Sequence, residues 1–153
     1  MKTLKYLGMM LTAVVLSFSM SACGGDSSDD GGGGSIMGEW VTVEGSSTWM
    51  DIIVMNIQSG SYKETIYSVE GEALNTDDPF VEKVYKETRS GSCKIEGSKL
   101  ILNGDDEFSY TLSSSGKTAY IKDKKGETHT CQRMTSELRS YINEIDKVAV
   151  SYK

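Results

Sequence analysis

The chain is poor in the residues that most often do chemistry. It holds one histidine, one proline and three cysteines in 153 residues. A single histidine leaves little for the common catalytic and zinc sites. Basic charge is also short: 16 Lys and Arg face 22 Asp and Glu, a net charge of −6. That balance argues against nucleic acid, whose phosphates need a basic face. The chain contains no glycine-rich phosphate loop, no paired zinc-ligand motif and no serine elbow. Long apolar runs are missing too. The longest, Leu7–Met20, is interrupted by Gly8, Thr12, Ser17 and Ser19. It falls short of the roughly 20 apolar residues that a membrane span needs. The length suits one domain with a core of moderate size and is too short for most two-domain enzymes.

What is present begins with an address. Lys2 and Lys5 form a positive start, the apolar stretch follows, and Met20-Ser21-Ala22-Cys23 closes it. The order is that of a secretory signal. Small residues before a cysteine resemble the bacterial lipobox. This implies cleavage after residue 22 and lipidation of Cys23, which anchors the chain to a membrane. Residues 24–35, GGDSSDDGGGGS, hold nothing that can pack and read as a solvated tether. Asp26, Asp29 and Asp30 resemble the surface-export signal of Bacteroidetes lipoproteins. The expected place is the outer membrane facing the cell exterior, with a periplasm-facing domain as the alternative. The chain divides into a signal peptide (1–22), the lipidated cysteine and tether (23–35), and one folded domain (36–153).

The folded part is written in short runs rich in Val, Ile, Thr and Tyr, separated by turn residues. Strands are predicted near 38–45, 49–58, 61–70, 80–89, 92–96, 99–103, 106–113, 117–123 and 127–134. Ser59-Gly60, Ser90-Gly91, Asn103-Gly104 and Lys125-Gly126 mark turns between them. Phe108, Tyr110 and Leu112 alternate with Ser109, Thr111 and Ser113, so one face is buried and one is wet. Ile52-Ile53-Val54-Met55 is apolar on both faces, which calls for a helix over it or a partner against it. Leu138, Tyr141, Ile142 and Ile145 make one helical stripe behind a capping Thr135, with Glu137 in the first turn. Val148, Val150 and Tyr152 alternate as a short last strand. The pattern gives an all-β fold: an antiparallel meander, sandwich or barrel with one C-terminal helix.

The order of parts carries a resemblance. Gly38-Glu39-Trp40 opens the first strand, Arg133 ends the last long one, and a helix and a short strand follow. Gly91 to Leu102, GSCKIEGSKLIL, reads as a glycine-bounded hairpin. Residues 36–153 resemble the lipocalins and the wider calycin superfamily, and most of all the small lipocalin-like lipoproteins of Bacteroidetes. A T-D-Y, the second lipocalin motif, is not present. The resemblance implies an up-and-down barrel of about eight strands. In it Trp40 plugs one end, Gly38 opens the strand, and Arg133 stacks on Trp40. A desolvated pair of this kind is worth about 2 kcal/mol. It also implies a binding module for a small apolar or amphipathic ligand, or a barrel packed with its own side chains. The ligand-binding residues are not specified.

Cys93 and Cys131 read either as a disulfide of an exported protein or as two buried thiols. His129 shares strand parity with Cys131 and Arg133 and is expected at the rim as a structural residue. Asp77-Asp78 and Asp105-Asp106-Glu107 read as turn chemistry, since they lack the alternating ligands of a calcium loop. No catalytic residue, metal or cofactor is expected, and the chain reads as a non-enzyme. Glu39, Asp51, Glu64 and Glu82 are the carboxylates to inspect for shifted proton affinity. The competing reading is a surface subunit or inhibitor that binds a protein through the apolar run 49–57.

Overall fold

The computed structural model describes residues 34–76 and 78–151. The signal segment, Cys23, most of the tether, Asp77 and Tyr152 lie outside them. Eight antiparallel strands follow in chain order: β1 Gly38–Gly45, β2 Trp49–Gln58, β3 Gly60–Glu72, β4 Phe80–Glu96, β5 Lys99–Leu102, β6 Asp106–Leu112, β7 Thr118–Lys122 and β8 Thr128–Arg133. Each pairs with the next, and β8 returns to β1 through Trp40↔Arg133 and Val41↔Gln132. The sheet is therefore a closed up-and-down barrel. Helix α1, Ser136–Val148, follows, and β9, Val150–Ser151, lies parallel to β4 at Tyr85 and Lys86.

Period-two alternation sorts the apolar residues into two cores. Trp40, Ile57, Tyr62, Cys93, Leu100, Leu102, Ala119, Ile121 and Cys131 come from seven of the eight strands and fill the barrel interior, with Ile36 beside them. Val41, Ile52, Val54, Tyr67, Val69 and Val84 have the opposite parity and form the outer wall of β1–β4. Leu138, Ile142 and Ile145 of α1 pack on that wall. This explains the doubly apolar run of β2. Ile52 and Val54 lie under the helix, while Ile53 and Met55 point inward, so the run is covered by the chain itself.

Two expectations about elements are corrected. The strands predicted at 80–89 and 92–96 are one, β4, and Ser90-Gly91 is no turn. Both residues sit in the ladder opposite Lys63 and Tyr62. Gly91 is small because space is short: a Cβ there would lie 1.9 Å from Asn103 Oδ1 and 2.9 Å from the Tyr62 ring. Val148 ends the helix rather than starting the last strand. The cap is as expected: Thr135 Oγ1 accepts from the N–H of Leu138 at 3.1 Å.

Candidate functional site

The barrel has two unlike ends. At the end where β1 starts, Trp40 is 1% exposed and its indole Nε1 donates to Ile36 O at 2.7 Å. The Arg133 guanidinium carbon lies 4.1 Å from the centre of the indole system. Its Nε donates to Gly116 O at 3.0 Å, Nη1 to Met37 O at 2.9 Å and Nη2 to Ser35 O at 2.7 Å. One side chain thus ties the chain entering β1, the β6–β7 turn and the end of β8 across the tryptophan. Gly38 makes room for it. Its φ is +113°, and a Cβ would come 2.7 Å from Arg133 Nη1. The three residues singled out from the sequence stand together at this end.

The opposite end is lined differently. Asp51, Ile53, Met55, Glu64, Ile66 and Ser68 share the inward parity of Trp40 through the pairs Asp51↔Ser68, Ile53↔Ile66 and Met55↔Glu64. All six are half-buried, less closely covered than the Trp40 cluster. Met55 stands across the ladder from Trp40 with Glu64 beyond it, Ile53 and Ile66 come next, and Asp51 and Ser68 lie farthest from the plug. Burial raises the Asp51 carboxyl; a hydrogen bond from Ser68 Oγ at 2.6 Å opposes this, and Glu44, directly across the ladder, adds to it. Burial likewise raises Glu64, with Arg89 opposing and Glu87 adding. Two of the four carboxylates flagged in the sequence thus face inward but stay apart: Asp51 lies opposite Ser68 at the far end, and Glu64 lies opposite Met55, four residues nearer the plug along β3. Glu39 instead pairs with Arg139 outside the barrel, and Glu82 is exposed on β4.

Sequence reasoning missed how many groups converge on His129. Its Nδ1 contacts Glu44 Oε1, and its Nε2 faces Asp123 Oδ2 at 3.7 Å. Asp123 accepts the N–H groups of Lys125 and Glu127 at 2.9 Å each. Burial works to raise its carboxyl, but those two donors and the His129 ring outweigh it and hold Asp123 below the usual carboxylate value. The spacing Asp123-x3-Glu127-x-His129 across one hairpin was the available signal. Glu44 comes from β1, and no local pattern links it to the others.

The cysteine question resolves to two thiols. Cys93 on β4 and Cys131 on β8 are both free and buried. Their strands are not neighbours: β4 lies against β3 and β5, and β8 against β1 and β7. Burial pushes the Cys131 thiol up to about 12 and raises that of Cys93, so neither is a ready thiolate.

An open cleft of about 640 Å³ lies outside the plugged end, lined by Glu39, Asn56, Gln58, Arg133, Thr135 and Arg139 among others. A second, of about 450 Å³, runs past Asn56, Tyr62, Lys63 and Gly91. Both lie on the plugged half and are open, with polar side chains set among a slightly larger apolar surface. Among the described residues no helix is long and apolar enough to cross a membrane. Comparison with family models, with curated proteins and with solved structures returns no match for this chain.

Proposed function

We propose that this chain is an exported, lipid-anchored, lipocalin-like binding module and not an enzyme. Its barrel holds a small apolar or amphipathic molecule at the mouth opposite Trp40. One observation carries the reading. The closed barrel is packed at one end by Trp40 under Arg133, while inward-facing Ile53 and Ile66, farther along the ladder, stay only partly buried. An apolar floor of Ile53 and Ile66 with Asp51 and Ser68 at its rim suits a ligand with one greasy and one polar part. Anchoring rests on the signal segment, Cys23 and the tether, which favour the outer membrane and an outward-facing domain.

The test uses an apolar fluorescent probe titrated into the purified protein. Ile66→Lys should weaken probe binding by about tenfold or more, since an ammonium on an apolar floor costs over 1.4 kcal/mol unless paired. Far-ultraviolet circular dichroism should stay unchanged. Equal binding by the variant and the native chain would sink the mouth as the seat. A second reading, a surface subunit or inhibitor, no longer rests on the covered run of β2. It rests on Trp49 and Phe80, which are 43% and 55% exposed beside that same mouth.

A further inference from the structure

The binding reading makes no use of the β7–β8 hairpin, and no metal is expected there in the reading of the sequence. Yet Asp123, Glu127 and His129 each bring a ligand-type atom within 4.8 Å of the others. The two ring nitrogens of His129 face different carboxylates. With Nδ1–H donated to Glu44, Nε2 keeps a lone pair and aims it at Asp123 Oδ2. Their 3.7 Å separation is too long for a shared proton. Asp123 Oδ1 is already committed to the N–H groups of Lys125 and Glu127, which holds Oδ2 toward the ring. Zinc sits about 2.0–2.1 Å from a histidine nitrogen and about 2.0–2.2 Å from a carboxylate oxygen, so at tetrahedral or slightly wider angles the two ligand atoms stand about 3.3–3.7 Å apart. The observed gap lies at the upper edge of that window.

We infer that Asp123, Glu127 and His129 bind a divalent cation of the zinc type, with Glu44 orienting the imidazole from behind. A carboxylate on the far ring nitrogen is the usual companion of a metal-bound histidine, because it fixes the tautomer and makes the ligand more basic. The imidazole ligand selects against calcium and magnesium, which take oxygen. Three protein ligands leave a position for water or for a group on another molecule. Glu127 is exposed, so the site opens to solvent and exchanges its ion. This inference stands apart from the apolar floor and does not depend on it.

The rival is a metal-free imidazolium held between Glu44 and Asp123. The chain has one histidine, so in tag-free, full-length protein purified in detergent its ring signals need no assignment. Zinc titrated at pH 7.5 should bind with one equivalent and shift the His129 Nε2 resonance. Glu127→Gln, an exposed change that leaves the fold alone, should weaken binding about tenfold, and Glu44→Ala about 10–100-fold. His129→Gln should abolish it, and calcium should not compete. Ring signals that respond to pH but not to zinc would overturn the inference. So would zinc binding that survives His129→Gln undiminished, or calcium that displaces zinc from the same site.

Discussion

Gly38 and Arg133 work as one device over Trp40. The glycine holds a φ that other residues resist, and its missing side chain is the space that the guanidinium occupies. Trp40 beneath is the largest of the fully buried side chains. Trp40→Ala should therefore cost about 3–5 kcal/mol in a denaturant melt; a loss under about 1 kcal/mol would mean the indole does not hold that end together. Asp51 offers a second test. Its folded-state carboxyl is raised by burial, against the Ser68 hydrogen bond and with Glu44 adding. An acid raised in the folded state disfavours folding once ionised, and that penalty disappears as pH falls below the unfolded value of about 3.9. Asp51→Asn, whose amide oxygen can still accept from Ser68, should stabilise the protein at pH 7. The advantage should fade by about pH 3.5, and urea melts at the two pH values measure both. These residues differ in legibility. Gly38, Trp40 and Arg133 were pointed to by the resemblance to a known family, through their order along the chain, and not by a local pattern. The Glu44–Asp51 repulsion could not be read from the sequence, because it exists only in the β1–β2 register.

Among elements, β4 and α1 show what periodicity reads and where it stops. The stripe Leu138, Tyr141, Ile142, Ile145 was visible at helical spacing. In the fold Leu138, Ile142 and Ile145 are buried against β1–β4, and half-buried Tyr141 packs beside them. Asp146 fastens the helix to the wall: it accepts from Lys86 Nζ at 2.5 Å and from Tyr67 Oη at 2.7 Å. Those two bonds hold Asp146 below its ordinary carboxyl value against burial, so this tie weakens as pH falls through the folded-state value. Ile142→Ala should cost about 2–5 kcal/mol, read in the same melts. A much smaller loss would mean that α1 rests on the wall without holding it. In β4, local turn chemistry misled. Ser-Gly is a turn signal only when nothing pairs with it, and here β3 supplies partners on one side along nearly the whole of β4.

At the scale of the molecule, closure is uneven. β3 and β4 pair along almost their full lengths, whereas β1 and β8 meet at two registered pairs, helped by Met134 N–H to Glu39 O at 2.9 Å and Thr42 Oγ1–H to Thr130 O at 2.9 Å. A short seam opens more easily than a long one. Hydrogen exchange should accordingly be slowest in β2–β4 and faster in β8; the reverse order would mean that Arg133 and Trp40 hold the seam more tightly than its ladder does. On its other edge β4 reaches beyond the four residues of β5, and β9 covers part of that edge at Tyr85 and Lys86.

The amino-acid sequence by itself determined most of the strands, and the helix and its cap. Each of these depends on neighbours in the chain, through a period of two, a period of 3.6 or a turn. The tertiary structure alone decided that β4 runs unbroken, that Cys93 and Cys131 stay apart as thiols, and that Glu44 stands behind His129. Those outcomes depend on which strands lie side by side when the barrel closes. A closed sheet fixes that by register between distant segments, which no local pattern encodes.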